Sequence, residues 1–144
     1  MKTLLLTLLL CSPCFADKAH DAILSKDGRV CATQFDDALR VNIRPELRAK
    51  LGPIVAAIRY SENGGKGREY GIIHKRCPKT YRDQAGWCAA TVQKDYDRWI
   101  KAGSKGRFLV YLGAKYCPVG AKNDPNGLNK YWVKNVTKFS KKFS

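Results

Sequence analysis

Residues 54–71 read IVAAIRYSENGGKGREYG, and the placement of Glu62 in this stretch decides how the chain is understood. Ile54, Ile58 and Glu62 are spaced by four, with Val55 beside them, so on a helix they share one face. Glu62 thus continues an apolar stripe that points into the protein. A carboxyl group there loses water, which disfavours its charged form and raises its pKa. A general acid needs a carboxyl of this kind. Gly64 and Gly65 follow at once, removing side chains beside the carboxyl and leaving room for a substrate. The competing reading ends the helix one turn earlier and leaves Glu62 facing water. The chain is basic and holds only three glutamates, Glu46, Glu62 and Glu69.

Upstream, residues 1–16 (MKTLLLTLLLCSPCFA) have the form of a secretory signal, with Lys2, a leucine-rich core and a small residue before Asp17. The expected product is exported, periplasmic or extracellular, and monomeric. No later segment has about 20 apolar residues, so no transmembrane segment is expected. The remaining 128 residues suffice for one domain with a core. Four cysteines remain, Cys31, Cys77, Cys88 and Cys117, and in an exported chain they are expected to form two disulfides. Three pairings are open. A zinc site is the alternative, but no C-x-x-C pair occurs and His20 and His74 are isolated. No metal or organic cofactor is expected. The net charge of +15 calls for an anionic partner or environment: nucleic acid, acidic lipid or a bacterial cell wall.

Residues 17–44 are the least legible; DAILSKDG and CATQFDDALR read equally as helix turns or loops. In RPELRAKLG, Pro45 suits a helix start and Gly52 its end. Pro53 then opens IVAAIRYSE, which stops at NGG. GKGREYGIIHKRCP has glycines, apolar residues and Pro78, and reads as an extended hairpin or loop. Thr80 and Asp83 have the spacing of a capping box. Ala85, Cys88, Val92, Tyr96 and Trp99 then recur every three or four residues up to Gly103. Phe108, Leu109, Leu112 and Tyr116 mark a further helix, and Leu128, Trp132, Val136 and Phe139 a last one.

A helix ending in Glu, a Gly-rich turn, a short YG segment and three amphipathic helices together resemble the lysozyme-like superfamily. Within it the chain looks most like bacterial soluble lytic transglycosylases and the related glucosaminidases. SENGG at Glu62 and REYG at Tyr70-Gly71 stand where that family has its catalytic glutamate and its Tyr-Gly segment. WVKNV (132–136) matches the frame of its final helix. The resemblance spans about residues 53–139. It departs from the family in three places: Ser61 precedes the glutamate instead of following it, Trp132 stands in the place of a tyrosine, and GIIHK replaces a glutamine-methionine motif. The implied fold is mainly α (α+β lysozyme-like), with a short β-hairpin or extended loop after the catalytic helix. The implied organisation is an N-terminal segment, residues 17–52, packed on a catalytic domain, residues 53–144.

The implied substrate is peptidoglycan, a β-1,4-linked aminosugar polymer, cleaved with Glu62 as proton donor. A second carboxylate would make the enzyme a hydrolase; without one, the sugar's own 6-hydroxyl attacks and an anhydro product forms. Glu69, seven residues on, is the candidate for that second group. Asp83 reads as part of a helix start and Asp124 as turn chemistry. Tyr96, Trp99 and Phe108 lie on apolar stripes and read as core. Tyr70, Trp87, Tyr116, Tyr131 and Trp132 are candidate sugar-stacking residues, and Asn123 and Asn129 candidate partners of acetamido groups. Two other classes compete: a non-catalytic module that binds cell-wall glycan, and a basic nucleic-acid-binding protein, for which no recognition motif is present. No specific nucleic-acid partner is expected.

Overall fold

The computed structural model describes residues 17–62 and 64–144; the signal-like residues 1–16 lie outside that range. Six α-helices form the described chain: α1 (Asp17–Asp27), α2 (Arg29–Asn42), α3 (Arg48–Ser61), α4 (Tyr81–Lys101), α5 (Phe108–Tyr116) and α6 (Trp132–Phe143). Short 3-10 turns, Pro45–Leu47 and Leu128–Tyr131, precede α3 and α6. The mainly helical class is as expected. No strand occurs among the described residues, so of the two forms expected after Glu62, hairpin or extended loop, the hairpin is absent and the described residues form an irregular loop.

Helix α3 is the axis of the molecule. Every residue from Leu51 to Ile58 is buried, the pattern of a helix surrounded by protein on all sides. It packs against α6, α4, α1 and α2. Contrary to expectation, Gly52 does not end one helix and Pro53 does not open another; α3 runs through both. Proline interrupts the hydrogen-bond ladder inside a helix at a cost of about 3 kcal/mol, and here the fully buried Pro53 ring fills core space in return. At Gly52 a β-carbon would stand 3.1 Å from the Leu39 Cδ1 atom, so the missing side chain admits α2 against α3.

The region least legible in sequence is two helices. Ala19, Ala22 and Ile23 of α1, and Ala32, Phe35, Ala38 and Leu39 of α2, join the same core cluster as Val55, Val92, Leu112 and Val136. The α1–α3 contact carries a buried ion pair: the Arg59 guanidinium donates to both Asp27 carboxylate oxygens, at 2.8 and 2.7 Å. The long α4 starts as its sequence indicates, with the Thr80 side chain accepting from the Asp83 backbone N–H at 3.1 Å. Asp83 is therefore engaged at the helix start. Tyr96, Trp99 and Phe108 pack on one another, with ring centroids 5.2–5.7 Å apart, and close the α4–α5 end of the core. Helix α6 begins at Trp132, and Leu128, expected on its apolar stripe, lies exposed in the preceding 3-10 turn.

The expected disulfides are not formed; Cys31, Cys77, Cys88 and Cys117 are all free thiols. Cys88 is fully buried on α4, and burial pushes its thiol up to about 12. Cys117 follows α5, and its thiol is pushed up to about 11, again first by burial. The helical core of the described residues holds together without a disulfide.

Candidate active site

Helix α3 ends at Ser61, and Glu62 is the first residue beyond it, with extended backbone (φ −87°, ψ 131°). Its N–H still bonds the Ile58 carbonyl at 2.9 Å. The last helical hydrogen bond therefore holds Glu62 on the face of Ile58, and the side chain turns inward although the helix has stopped. Two elements contact the carboxyl group. From α6, the Trp132 indole N–H donates to Glu62 Oε1 at 3.1 Å. From the loop, Gly71 lies so close that a β-carbon there would stand 2.6 Å from both Cδ and Oε2 of Glu62. The Glu62 charge also acts on the buried Cys88 thiol of α4, raising its pKa after burial does. Burial raises the Glu62 pKa above the ordinary 4.5, and the Trp132 hydrogen bond offsets part of that rise. Oε1 accepts from Trp132, and Oε2 lies against the bare Gly71 backbone.

Gly71 meets two demands at once. Its φ is +71°, a left-handed conformation that L side chains disfavour, and its Cα faces the carboxyl. Gly71→Ala is expected to lose about 1–2 kcal/mol from backbone strain alone, and more from the clash with Glu62. A lowered urea midpoint together with lost activity would show both; a variant as stable and active as the parent would contradict this account of the loop.

Two of the expected sugar platforms are structural. Tyr70 is fully buried, its hydroxyl 3.0 Å from that of Tyr81, and no face of its ring is available to a ligand. Burial holds its phenol well above the usual range. Tyr81 in turn donates to Asp27 at 2.9 Å. Tyr116 is half-buried; its hydroxyl donates to the Tyr70 carbonyl at 2.5 Å, and its ring stacks on Trp132 with centroids 5.4 Å apart. Trp132 itself is only 5 % exposed, so it supplies a hydrogen bond to Glu62 more than a surface for sugar. Tyr131 is the exposed aromatic at this edge, 48 % accessible, with the Lys130 ammonium over its ring.

The remaining candidates separate. Glu69 Oε1 accepts from the Gly67 N–H at 2.9 Å, and its charge acts on the Cys31 thiol of α2. Its other oxygen, Oε2, is buried without a hydrogen-bond partner among the described residues, and no hydrogen bond joins Glu69 to Glu62 there. Asp124 accepts from the backbone N–H groups of Leu128 and Asn129 at 2.7 and 3.2 Å, fixing the turn before α6. Asn129 donates to the Pro118 carbonyl at 2.8 Å, while Asn123 is exposed in the same loop. Trp87 stacks on His74, centroids 5.3 Å apart, and borders a groove of about 620 Å³ between α2 and α4, away from Glu62. Among the described residues no three His, Cys, Asp or Glu side chains gather as a metal site. No helix there is long and apolar enough to cross a membrane.

Sequence reasoning missed Gln84, which bonds the backbone on either side of Gly71, and the Asp27–Arg59 pair, which reaches Tyr70 through the Tyr81 hydroxyl. It also missed how unevenly charge is distributed. Residues 98–144 hold eleven Lys and Arg against the single acid Asp124. Lys134, Lys138, Lys141 and Lys142 are exposed on α6, and no ion pair among the described residues engages them.

Comparison with protein-family models, with curated proteins and with solved structures finds no match to this chain.

Proposed function

We propose that the protein is an exported enzyme that cleaves β-1,4 glycosidic bonds between the aminosugars of peptidoglycan, with Glu62 as its single acid and base. The observation that carries this proposal is the enclosed Glu62 carboxyl, half-buried, held by Trp132 and faced by a glycine. Glu62 donates its proton to the glycosidic oxygen as the bond to C1 breaks through an oxocarbenium-like transition state. The 6-hydroxyl of the same sugar then attacks C1 and gives its proton to the Glu62 carboxylate. The product is a 1,6-anhydro sugar, and the enzyme returns to its starting state. Glu69 is tied within the loop by the Gly67 N–H, which supports this route over hydrolysis.

The lysines of α6 suit an anionic wall. Binding to intact cell-wall sacculi is expected to weaken steeply as salt rises beyond about 0.1 M, where the Debye length falls to about 10 Å. A sedimentation assay across a salt series checks this, and salt-independent binding would remove the electrostatic contribution.

Mass analysis of fragments released from purified peptidoglycan tests the reaction itself. Anhydro-muropeptides are the expected product. Reducing-end fragments would mean hydrolysis. Absence of cleavage on several wall types would favour a non-catalytic glycan-binding module with the same basic surface.

A further inference from the structure

The loop that covers Glu62 has no strand partner among the described residues, yet in its Tyr70–Ile72 segment five of the six backbone N–H and C=O groups are hydrogen-bonded, three of them to one side chain. Gln84 lies in the first turns of α4 and is 1 % exposed. Its Oε1 accepts from the N–H groups of Tyr70 and Ile72, both at 3.3 Å. Its Nε2 donates to the Ile72 carbonyl at 2.9 Å. These three bonds bracket Gly71 on both sides, as the edge of a neighbouring strand would. Two further bonds complete the hold: the Gly71 N–H to the Arg68 carbonyl at 3.0 Å, and the Tyr116 hydroxyl to the Tyr70 carbonyl at 2.5 Å.

A buried amide is costly unless its hydrogen bonds are made. Gln84 makes them with the segment that touches Glu62, and the rigid α4 fixes its position. We infer that Gln84 is a positioning residue for the Glu62 site: its side-chain amide sets the Tyr70–Ile72 backbone so that Gly71 closes over the Glu62 carboxyl and limits water there. The inference rests on Glu62 being the acid, but the clamp itself is a separate claim about Gly71. Loss of the amide frees the segment, Gly71 withdraws, and the carboxyl regains water. The titratable groups on which the Glu62 charge acts are Cys88 of α4, Tyr116 of α5 and Cys117 just beyond it, and the uncharged Trp132 of α6 bonds the carboxyl. Gln84→Met alters none of them and keeps a side chain of similar length.

The test labels glutamate with carbon-13 at the carboxyl, which gives signals from three residues only, and assigns Glu62 by its absence from Glu62→Gln. In Gln84→Met the Glu62 titration midpoint is expected to fall toward the ordinary value of 4.5. The rate constant kcat on peptidoglycan is expected to drop at least tenfold, with KM changed less than threefold. An unchanged midpoint in a folded Gln84→Met protein would overturn the inference. Amide hydrogen exchange on the unaltered protein covers the case in which the variant does not fold. The Tyr70 and Ile72 amides are expected to be protected like helical ones, and exchange as fast as in an open loop would equally overturn the clamp. If the protein cleaves no glycan, the midpoint and exchange measurements still decide the role of Gln84, so the two claims fail separately.

Discussion

Glu62→Gln is expected to lower the rate of glycan cleavage by about 10²–10⁴-fold, the range for removing a positioned general acid, while the fold persists. The neutral amide keeps the shape of the carboxyl and still accepts from the Trp132 N–H, so the site is preserved and only the transferable proton is lost. Stability should move the other way. A carboxyl whose folded pKa is raised binds its proton more tightly in the folded protein than in the unfolded chain. Between the unfolded value and the raised folded value, stability therefore falls as pH increases, and above that window the penalty stays constant. The amide has no such penalty. Urea denaturation at pH 4 and pH 7 is expected to show the variant gaining stability over the parent as pH rises. A variant that cleaves at the parental rate would show that Glu62 is not the acid. A variant that loses stability relative to the parent as pH rises would show that the carboxyl does not carry a raised pKa.

Asp27→Ala is expected to cost about 3–5 kcal/mol, the usual penalty for leaving a buried charge without its partner. Arg59 and Asp27 have side chains only 12 % and 10 % exposed, and the pair is two-pronged. Removing the aspartate strands the guanidinium and also deprives the Tyr81 hydroxyl of its acceptor. Tyr81 is the link to Tyr70, so the damage reaches the loop over Glu62 as well as the α1–α3 contact. Tyr81→Phe removes one hydroxyl and its bonds while sparing the ion pair, and should cost only about 0.5–1.5 kcal/mol. Urea midpoints for the two variants give the comparison. Equal losses would mean that the ion pair contributes little beyond a single hydrogen bond.

The features legible in the sequence were those governed by local periodicity. The stripes of α4 and α5 and the Thr80–Asp83 start need only neighbouring residues, and the mainly helical class followed from them. The inward turn of Glu62 was legible too, because four-residue spacing from Ile58 carries the face even past the helix end. The Gly52–Pro53 break misled because both residues disfavour helix locally, whereas burial on all sides of α3 overrides that preference. The stretch around Tyr70 has the alternation of an extended chain, but its partner is the Gln84 side chain instead of a second strand. Nothing in the residue types of YRDQAGW distinguishes such an amide from a solvated one. Tyr70 likewise lay off every stripe and looked available; only the chain Tyr70–Tyr81–Asp27–Arg59, which joins residues far apart in sequence, shows why it is buried. The cysteine pattern suggested disulfides by number alone, and number carries no geometry.

The central claim is that the fold holds Glu62 as a carboxyl with a raised pKa, available to donate a proton. Direct titration of that carboxyl in the unaltered protein, followed by carbon-13 NMR, is its most direct test. The midpoint is expected above 4.5, with burial the dominant cause and the Trp132 hydrogen bond only a partial offset. A midpoint at or below 4.5 would mean that water reaches the group freely or that Trp132 stabilises its charge more than burial opposes it, and Glu62 would then be no general acid.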